Sequence, residues 1–293
     1  MIDDSQLDAV RRAQAARIDT AAPNPARVAD FLNGGRSNFE ADRRVARVML
    51  AAAPAIAAIV PAVLAFQQRA VRFLALEAGI RQFLDIGTGL PGAEISRDTA
   101  QSVDPACRVV YVDNDPMVLS YVRAYARSTA QGAIAALDAK ATDPEALLAG
   151  AAATLDLGQP VAVLLPATLM FVSSARRAAG IVSALLAALS RGSCLALCHV
   201  ASDLDPALEA GALEWNRMAP GQITPRSRAE VAGLVAGLDL VDPGLVPVDQ
   251  WRPADQGSPA DQGRPAPGGG RRDEEAPVYA VLARARDRPE PLR

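Results

Sequence analysis

The spacing of apolar residues changes period near Gln82. Upstream, residues 1–80 read as helix throughout, with Asn24 and Pro25 as N-cap and first helical residue ahead of ARVADFL. Asn33, Gly34 and Gly35 stop that helix, a second begins near Asn38, and a third follows Pro61 and ends at Gly79. Downstream, the short apolar runs QFLDI, CRVVYVD, GAIAAL, PVAVLLPA and SCLALCHV read as strands, and helical stretches near 93–102, 115–129, 143–150 and 174–190 separate them. Strands joined by helices imply right-handed crossovers and a parallel sheet covered on both faces, an α/β fold.

Two more helical stretches follow His199, and Ser227 and Glu230 have capping-box spacing at the start of the second. Strand-like segments near 238–248 and 277–283 would complete the sheet. Residues 252–276 are rich in proline, glycine and charge and repeat PADQG at 253–257 and 259–263, the composition of a mobile loop. The expected organisation is a helical cap over 1–80, a nucleotide-binding core over 81–251, that loop, and a last strand and tail over 277–293.

Composition narrows the chemistry. The 293 residues carry a net charge of -3, one histidine (His199), three cysteines (Cys107, Cys194, Cys198) and a single lysine, Lys140, all other basic residues being arginine. Near-neutral charge argues against a duplex nucleic-acid binder, and one histidine with scattered cysteines argues against a zinc enzyme. Cys194 and Cys198 would face one side of a strand and His199 the other, so no metal is expected there. The unpatterned cysteines and the acidic, non-apolar start MIDDSQ lead to the expectation of a reducing, cytoplasmic setting. Residues 48–66 are uncharged, close to the length of a membrane span, yet alanine-rich and broken by Pro54 and Pro61. Two short buried helices meeting near the prolines are expected instead of a span, with a self-association surface, and so a homodimer, as the alternative.

The segment FLDIGTGLPG places Gly87, Gly89 and Gly92 in G-x-G-x-x-G spacing between a strand and a helix. Alone it fits NAD as well as other nucleotides. Asp85, two residues before the first glycine, would repel a pyrophosphate and attract an ammonium, and Pro91 removes an N–H that a phosphate would use. Asp113 closes the next strand, where a carboxylate can take ribose hydroxyls. D-x-G-x-G with a strand-end acid therefore points to S-adenosylmethionine. The bland alternative is a plain strand-to-helix turn flanked by solvated acids.

The segments PNPARVADFLNGGRSNFEADRR, RQFLDIGTGLPG and VVYVDNDPMVL resemble the actinobacterial S-adenosylmethionine-dependent methyltransferase family formerly classed as a domain of unknown function, and PVAVLLPATLMFV, RSRAEV and LVDPGLVPVDQW agree with it. The likeness spans about residues 23–251. It implies a class I Rossmann-like methyltransferase fold, with a seven-stranded, mostly parallel sheet and an N-terminal helical extension over the cofactor. It further implies that Asp85, Gly87, Thr88 and Gly89 surround the methionine end, Asp113 the ribose, Asn114 and Asp115 the adenine, and Asp138 the adenine amino group. The loop holding Gly34, Gly35, Arg36 and Asn38 would fold over the cofactor, with Arg36 toward its carboxylate; by loop chemistry alone that arginine is equally at home in solvent. Where family members carry a histidine after the fourth strand, this chain has Met170.

Methyl transfer needs alignment more than proton movement. His199, at the end of the fifth strand, is the one imidazole that could act as a base; a structural histidine is the plainer reading. Met170, Phe171, Trp215 and Met218 are candidates for an apolar substrate pocket. The chain thus reads as a methyltransferase acting on a small molecule in specialised metabolism, with neither nucleic acid nor membrane as partner. A non-methylating S-adenosylmethionine enzyme and a non-catalytic regulatory binder are the alternatives, and an NAD-dependent oxidoreductase comes last.

Overall fold

In a computed structural model, residues 18–90, 95–253 and 275–286 are described. The segment 254–274, which holds most of the expected mobile loop, lies outside them, as do Pro91, Gly92 and the first seventeen residues. Five parallel strands, β1 (Gln82–Ile86), β2 (Arg108–Asp113), β3 (Ala133–Asp138), β4 (Ala162–Pro166) and β5 (Cys194–Val200), form the sheet with β8 (Val278–Arg284) antiparallel to β5. The order is β3-β2-β1-β4-β5-β8-β6, with β7 also on β8. Eight strands rather than seven arise because the last position is split: β6 (Asp239–Leu240) and β7 (Val246–Pro247) are two-residue pairs on the same edge of β8. A doubly covered parallel sheet with one reversed strand is the class I methyltransferase arrangement.

Alternation along the strands builds two cores. Phe83, Val109, Tyr111, Leu164 and Cys198 face helix α3 (Ile56–Leu76), whereas Leu84, Ile86, Val110, Val163 and Leu197 face α6 (Pro144–Ala151), α7 (Ala175–Ala187) and α9 (Arg228–Leu234). Helix α4 (Ile95–Val103) links β1 to β2, and α5 (Pro116–Tyr125) links β2 to β3. The capping box at Ser227 and Glu230 starts α9 as expected.

The helical boundary near the prolines differs from expectation. Helix α2 (Glu40–Ala52) ends before Pro54, and α3 starts at Ile56 and runs through Pro61 for 21 residues. Pro61 lies early in α3, where it removes only one backbone bond while the following turns anchor on the sheet. By length and composition α3 could cross a membrane, but half of its apolar window is buried inside the protein, with Phe66, Ala70, Val71 and Leu74 in the core.

A third apolar cluster binds the N-terminal helices to the sheet's carboxyl edge: Val28 of α1 (Pro25–Leu32), Val45 and Met49 of α2, Ile56 of α3, Val200, and Leu208, Ala212 and Trp215 of α8 (Ala207–Met218). A buried carboxylate fixes this cap. Asp42 accepts from the backbone N–H of Asn24 at 2.8 Å and of Phe39 at 2.8 Å, and pairs with buried Arg27 at 3.5 Å. Arg27 in turn donates to the carbonyls of Asp19 and Ala22. Asp42→Ala would strand the Arg27 charge and two amides, so a loss of about 3–5 kcal/mol is expected, read as a lower denaturant midpoint.

Candidate functional site

The carboxyl ends of β1 and β2 meet at the glycine turn. Gly87 (φ 73°) and Gly89 (φ 64°) hold left-handed conformations, and the Gly87 N–H donates to Val112 O at 2.8 Å. A Cβ on Gly87 would collide with the hydroxyl of Thr168, which itself donates to Ile86 O at 2.7 Å. The turn following β4 is thereby clamped onto the glycine loop. Thr88 is buried and its hydroxyl donates to Asp85 O.

Asp85 is fully buried. Its Oδ2 accepts from Gln67 Nε2 at 2.8 Å and Ser96 Oγ at 2.6 Å, while its Oδ1 and the Oε1 of Gln67 are buried without a hydrogen-bond partner among the described residues. Burial pushes the Asp85 carboxyl up to about 7; the Ser96 hydrogen bond pulls against this and the nearby Asp113 charge adds to it. Asp113 accepts from the backbone N–H of Gly89 at 3.1 Å and of Asp115 at 2.9 Å, and burial raises its pKa despite those bonds.

The other predicted cofactor residues are placed less uniformly. Asp138 ends β3 beside Asp113 in register, and Asn114 is exposed between β2 and α5. Asp115 caps α5, accepting from Met117 N at 2.6 Å and Val118 N at 3.4 Å, because the helix start leaves those amides otherwise unpaired. In the cap loop, Asp30 gathers Ser37 N at 2.7 Å and Asn38 Nδ2 at 2.8 Å, and a Cβ on Gly35 would strike its carboxylate. Asn38 therefore holds the loop together and does not extend from it. Gly34 takes φ 75°, and Arg36 is exposed. Helix α1 reaches the glycine loop through Ala26, which packs with Leu90 and Val118.

On its other side α1 roofs an apolar cavity of about 90 Å³, walled by Val28 and Leu32, Met49, Ile56, Met170, Phe171, Trp215 and Ile223 among others. Three of the four predicted pocket residues line it. Met218 packs against the surrounding cluster without lining the cavity. Among the described residues, no lining side chain is titratable.

The geometry of His199 favours the structural reading over the catalytic base. The ring is fully buried, with Nδ1 at 2.9 Å from Val200 O and Nε2 at 2.6 Å from Arg226 Nη1. Since a guanidinium only donates, Nε2 must accept and Nδ1 must carry the proton, which leaves no lone pair for a substrate. Burial lowers its pKa to about 4, and the Arg226 charge adds to the fall. Arg226, buried beneath the turn Thr168–Phe171, also donates to Leu169 O at 3.0 Å and Ser173 O at 3.3 Å. Cys194 and Cys198 face the α3 side of the sheet, and among the described residues no cluster of metal-ligand type occurs.

Gln67, Thr168 and Arg226 escaped the sequence reading. Thr168 and Arg226 lie within segments that carry the resemblance, TLMFV and RSRAEV, but nothing local distinguishes them. Gln67 is the one polar residue among the buried positions of this helix, and that was a usable signal.

A glycine turn between two strand-end carboxylates, on a sheet of this order, defines a class I S-adenosylmethionine-dependent methyltransferase. The model of the S-adenosyl methyltransferase family matches residues 11–286, and the chain belongs to that family. Among solved structures, a DUF574-family protein from Streptomyces avermitilis is similar at 38% identity and TM-score 0.81, over 92% of this chain and 100% of that one. A provisionally assigned methyltransferase from Thermobifida fusca is similar at 33% identity and TM-score 0.79, over 92% and 97%. A comparison with curated proteins gave no match. S-adenosylmethionine is the family's cofactor, and the donor-hungry Asp85 and Gln67 oxygens suit its ammonium end.

A histidine that stays neutral to about pH 4 when folded, but protonates near 6.5 when unfolded, contributes stability in full above about 6.5 and loses it as pH falls toward 4. Asp85, with its raised pKa, has the opposite slope between about 4 and 7, so the test is a difference. His199→Gln, which can still accept from Arg226 and donate to Val200 O, should lose up to about 3 kcal/mol less than wild type between pH 7 and pH 4, measured by urea unfolding.

Proposed function

We propose that this protein methylates a small molecule of specialised metabolism in the cavity beneath α1, with S-adenosylmethionine held at the ends of β1 and β2. The carrying observation is the juxtaposition, along one sheet edge, of two buried oxygens that lack a donor among the described residues and an apolar cavity. An ammonium brings several N–H groups and a positive charge, which suits Asp85 Oδ1 and Gln67 Oε1 together. Asp113 would take the ribose hydroxyls, a role supported by its position at the end of β2 and by the Gly89 N–H that orients its carboxylate. Bound there, the cofactor supplies a methyl group already activated by a sulfonium. The task left to the chain is to align the acceptor and exclude water, which α1, α3 and α8 do by closing apolar side chains around the cavity. Its size supports a small acceptor over a polymer.

Calorimetry should show binding of S-adenosylmethionine and S-adenosylhomocysteine and none of NAD. An ammonium favours ionised Asp85, whose carboxyl is held at about 7, so affinity should fall about tenfold per pH unit below that value and flatten in Asp85→Asn. A flat wild-type profile would remove Asp85 from the role. Candidate acceptors incubated with S-adenosylmethionine should gain the mass of one methylene; products without that gain would favour a non-methylating conversion at the same site.

A further inference from the structure

The cavity beneath α1 has a lopsided hydrogen-bonding character. Its wall of Val28, Met49, Ile56, Met170, Phe171 and Trp215 offers neither a carboxylate, an imidazole nor a hydroxyl. The one imidazole nearby, His199, has both nitrogens occupied. Yet the indole N–H of Trp215 is buried with no partner among the described residues, although Trp215 is only 1% exposed. An unpaired buried donor is costly, and a ligand that accepts a hydrogen bond relieves the cost. A ligand that must donate finds only the weakly accepting thioethers of Met49 and Met170 among the side chains.

We propose that the acceptor substrate is a small apolar weak acid, a phenol, enol or thiol, which enters this cavity as its conjugate base and is held by the N–H of Trp215. This rests on the methyltransferase reading above and names its substrate class. Without a base in the wall, the acceptor must lose its proton to solvent before it enters. Its lone pair then forms the new bond to the methyl carbon as the carbon–sulfur bond breaks, and the electron pair of that bond stays on sulfur. No proton has to pass to the protein. An anion meeting a sulfonium gives two neutral products, and such charge cancellation is favoured by an apolar, water-free surrounding. A protonated amine would instead bring a second positive charge and gain nothing from the N–H. An anion in this cavity pays its desolvation only with a cation beside it, so the charge of the cofactor becomes part of the acceptor's affinity.

Equilibrium binding tests this without turnover. The probes are phenol, thiophenol and 4-nitrophenol, with benzylammonium as the cationic control and 4-nitroanisole as the neutral one. Each is titrated into the protein carrying S-adenosylhomocysteine or a cofactor analogue with a protonated amine in place of the sulfonium. The weak acids should bind, 4-nitrophenol showing the phenolate absorption band below its solution pKa, and more tightly with the cationic analogue. Trp215→Phe, which stays aromatic but is smaller and so costs some core stability, should weaken phenolate binding about tenfold more than it weakens binding of 4-nitroanisole, while leaving affinity for S-adenosylhomocysteine unchanged. The inference is overturned if all three weak acids fail to bind, if 4-nitrophenol binds only as the neutral phenol, if Trp215→Phe leaves its affinity unaltered, or if benzylammonium binds as well. Phenolate binding without any methylated product would sink the methyltransferase reading and leave only a cavity that binds weak acids as anions. Methylation of amines in preference to weak acids would do the reverse.

Discussion

A single buried guanidinium holds the acceptor side of the site in place. Arg226 lies beneath the turn after β4 with no ion pair to a carboxylate among the described residues, though the Glu230 charge acts on it, and spends its N–H groups on carbonyls in and just after that turn and on the ring of His199. Removing a cation from water is tolerable only where it is surrounded by oriented acceptors. The turn Thr168–Phe171 must therefore keep its carbonyls pointed inward, which turns the side chains of Met170 and Phe171 outward into the cavity. Ala167, which opens the turn in a left-handed conformation (φ 62°), is the backbone cost of that arrangement. The histidine is part of the same device, since it offers Arg226 a lone pair that a protonated ring could not.

The opposite end of the site is organised by a deficit. Asp85 is buried in the sheet's α3-facing core with one oxygen satisfied and the other not. Such an arrangement is unfavourable in the free protein and becomes favourable when a donor arrives. Stability is thus withheld at the place where binding energy is needed, a common trade at functional sites. Gln67 and Ser96 reach Asp85 from two different helices, so the helical cap and the sheet share the burden of that carboxylate.

Much of this was legible in the chain because local rules and tertiary packing agree. The switch of hydrophobic period at Gln82, the cap at Asn24 and the box at Ser227 all appear where their chemistry places them. The glycine turn with Asp85 and Asp113 is a motif whose spacing carries geometry. Pro61 misled because propensity is local, whereas α3 is held by a core formed with residues far along the chain. The partners of Asp115 and His199 were illegible for a related reason. A carboxylate beside a ligand motif and a histidine at a strand end give no sign of the helix amides and the Arg226 guanidinium that bond to them, since nothing adjacent in sequence announces those partners.

Helix α1 has two inner surfaces. Ala26 leans on Leu90 of the glycine loop and on Val118, while Val28 and Leu32, farther along the same short helix, wall the cavity. The glycine-loop cluster and the apolar cavity thus share one helix eight residues long. Reshaping the cavity through that helix would disturb the packing of the glycine loop as well, so an altered cavity is better sought from the far wall. Met49 on α2 and Leu208 and Ala212 on α8 border the cavity and stand apart from the glycine-loop cluster, which makes them the independent dials for redesign.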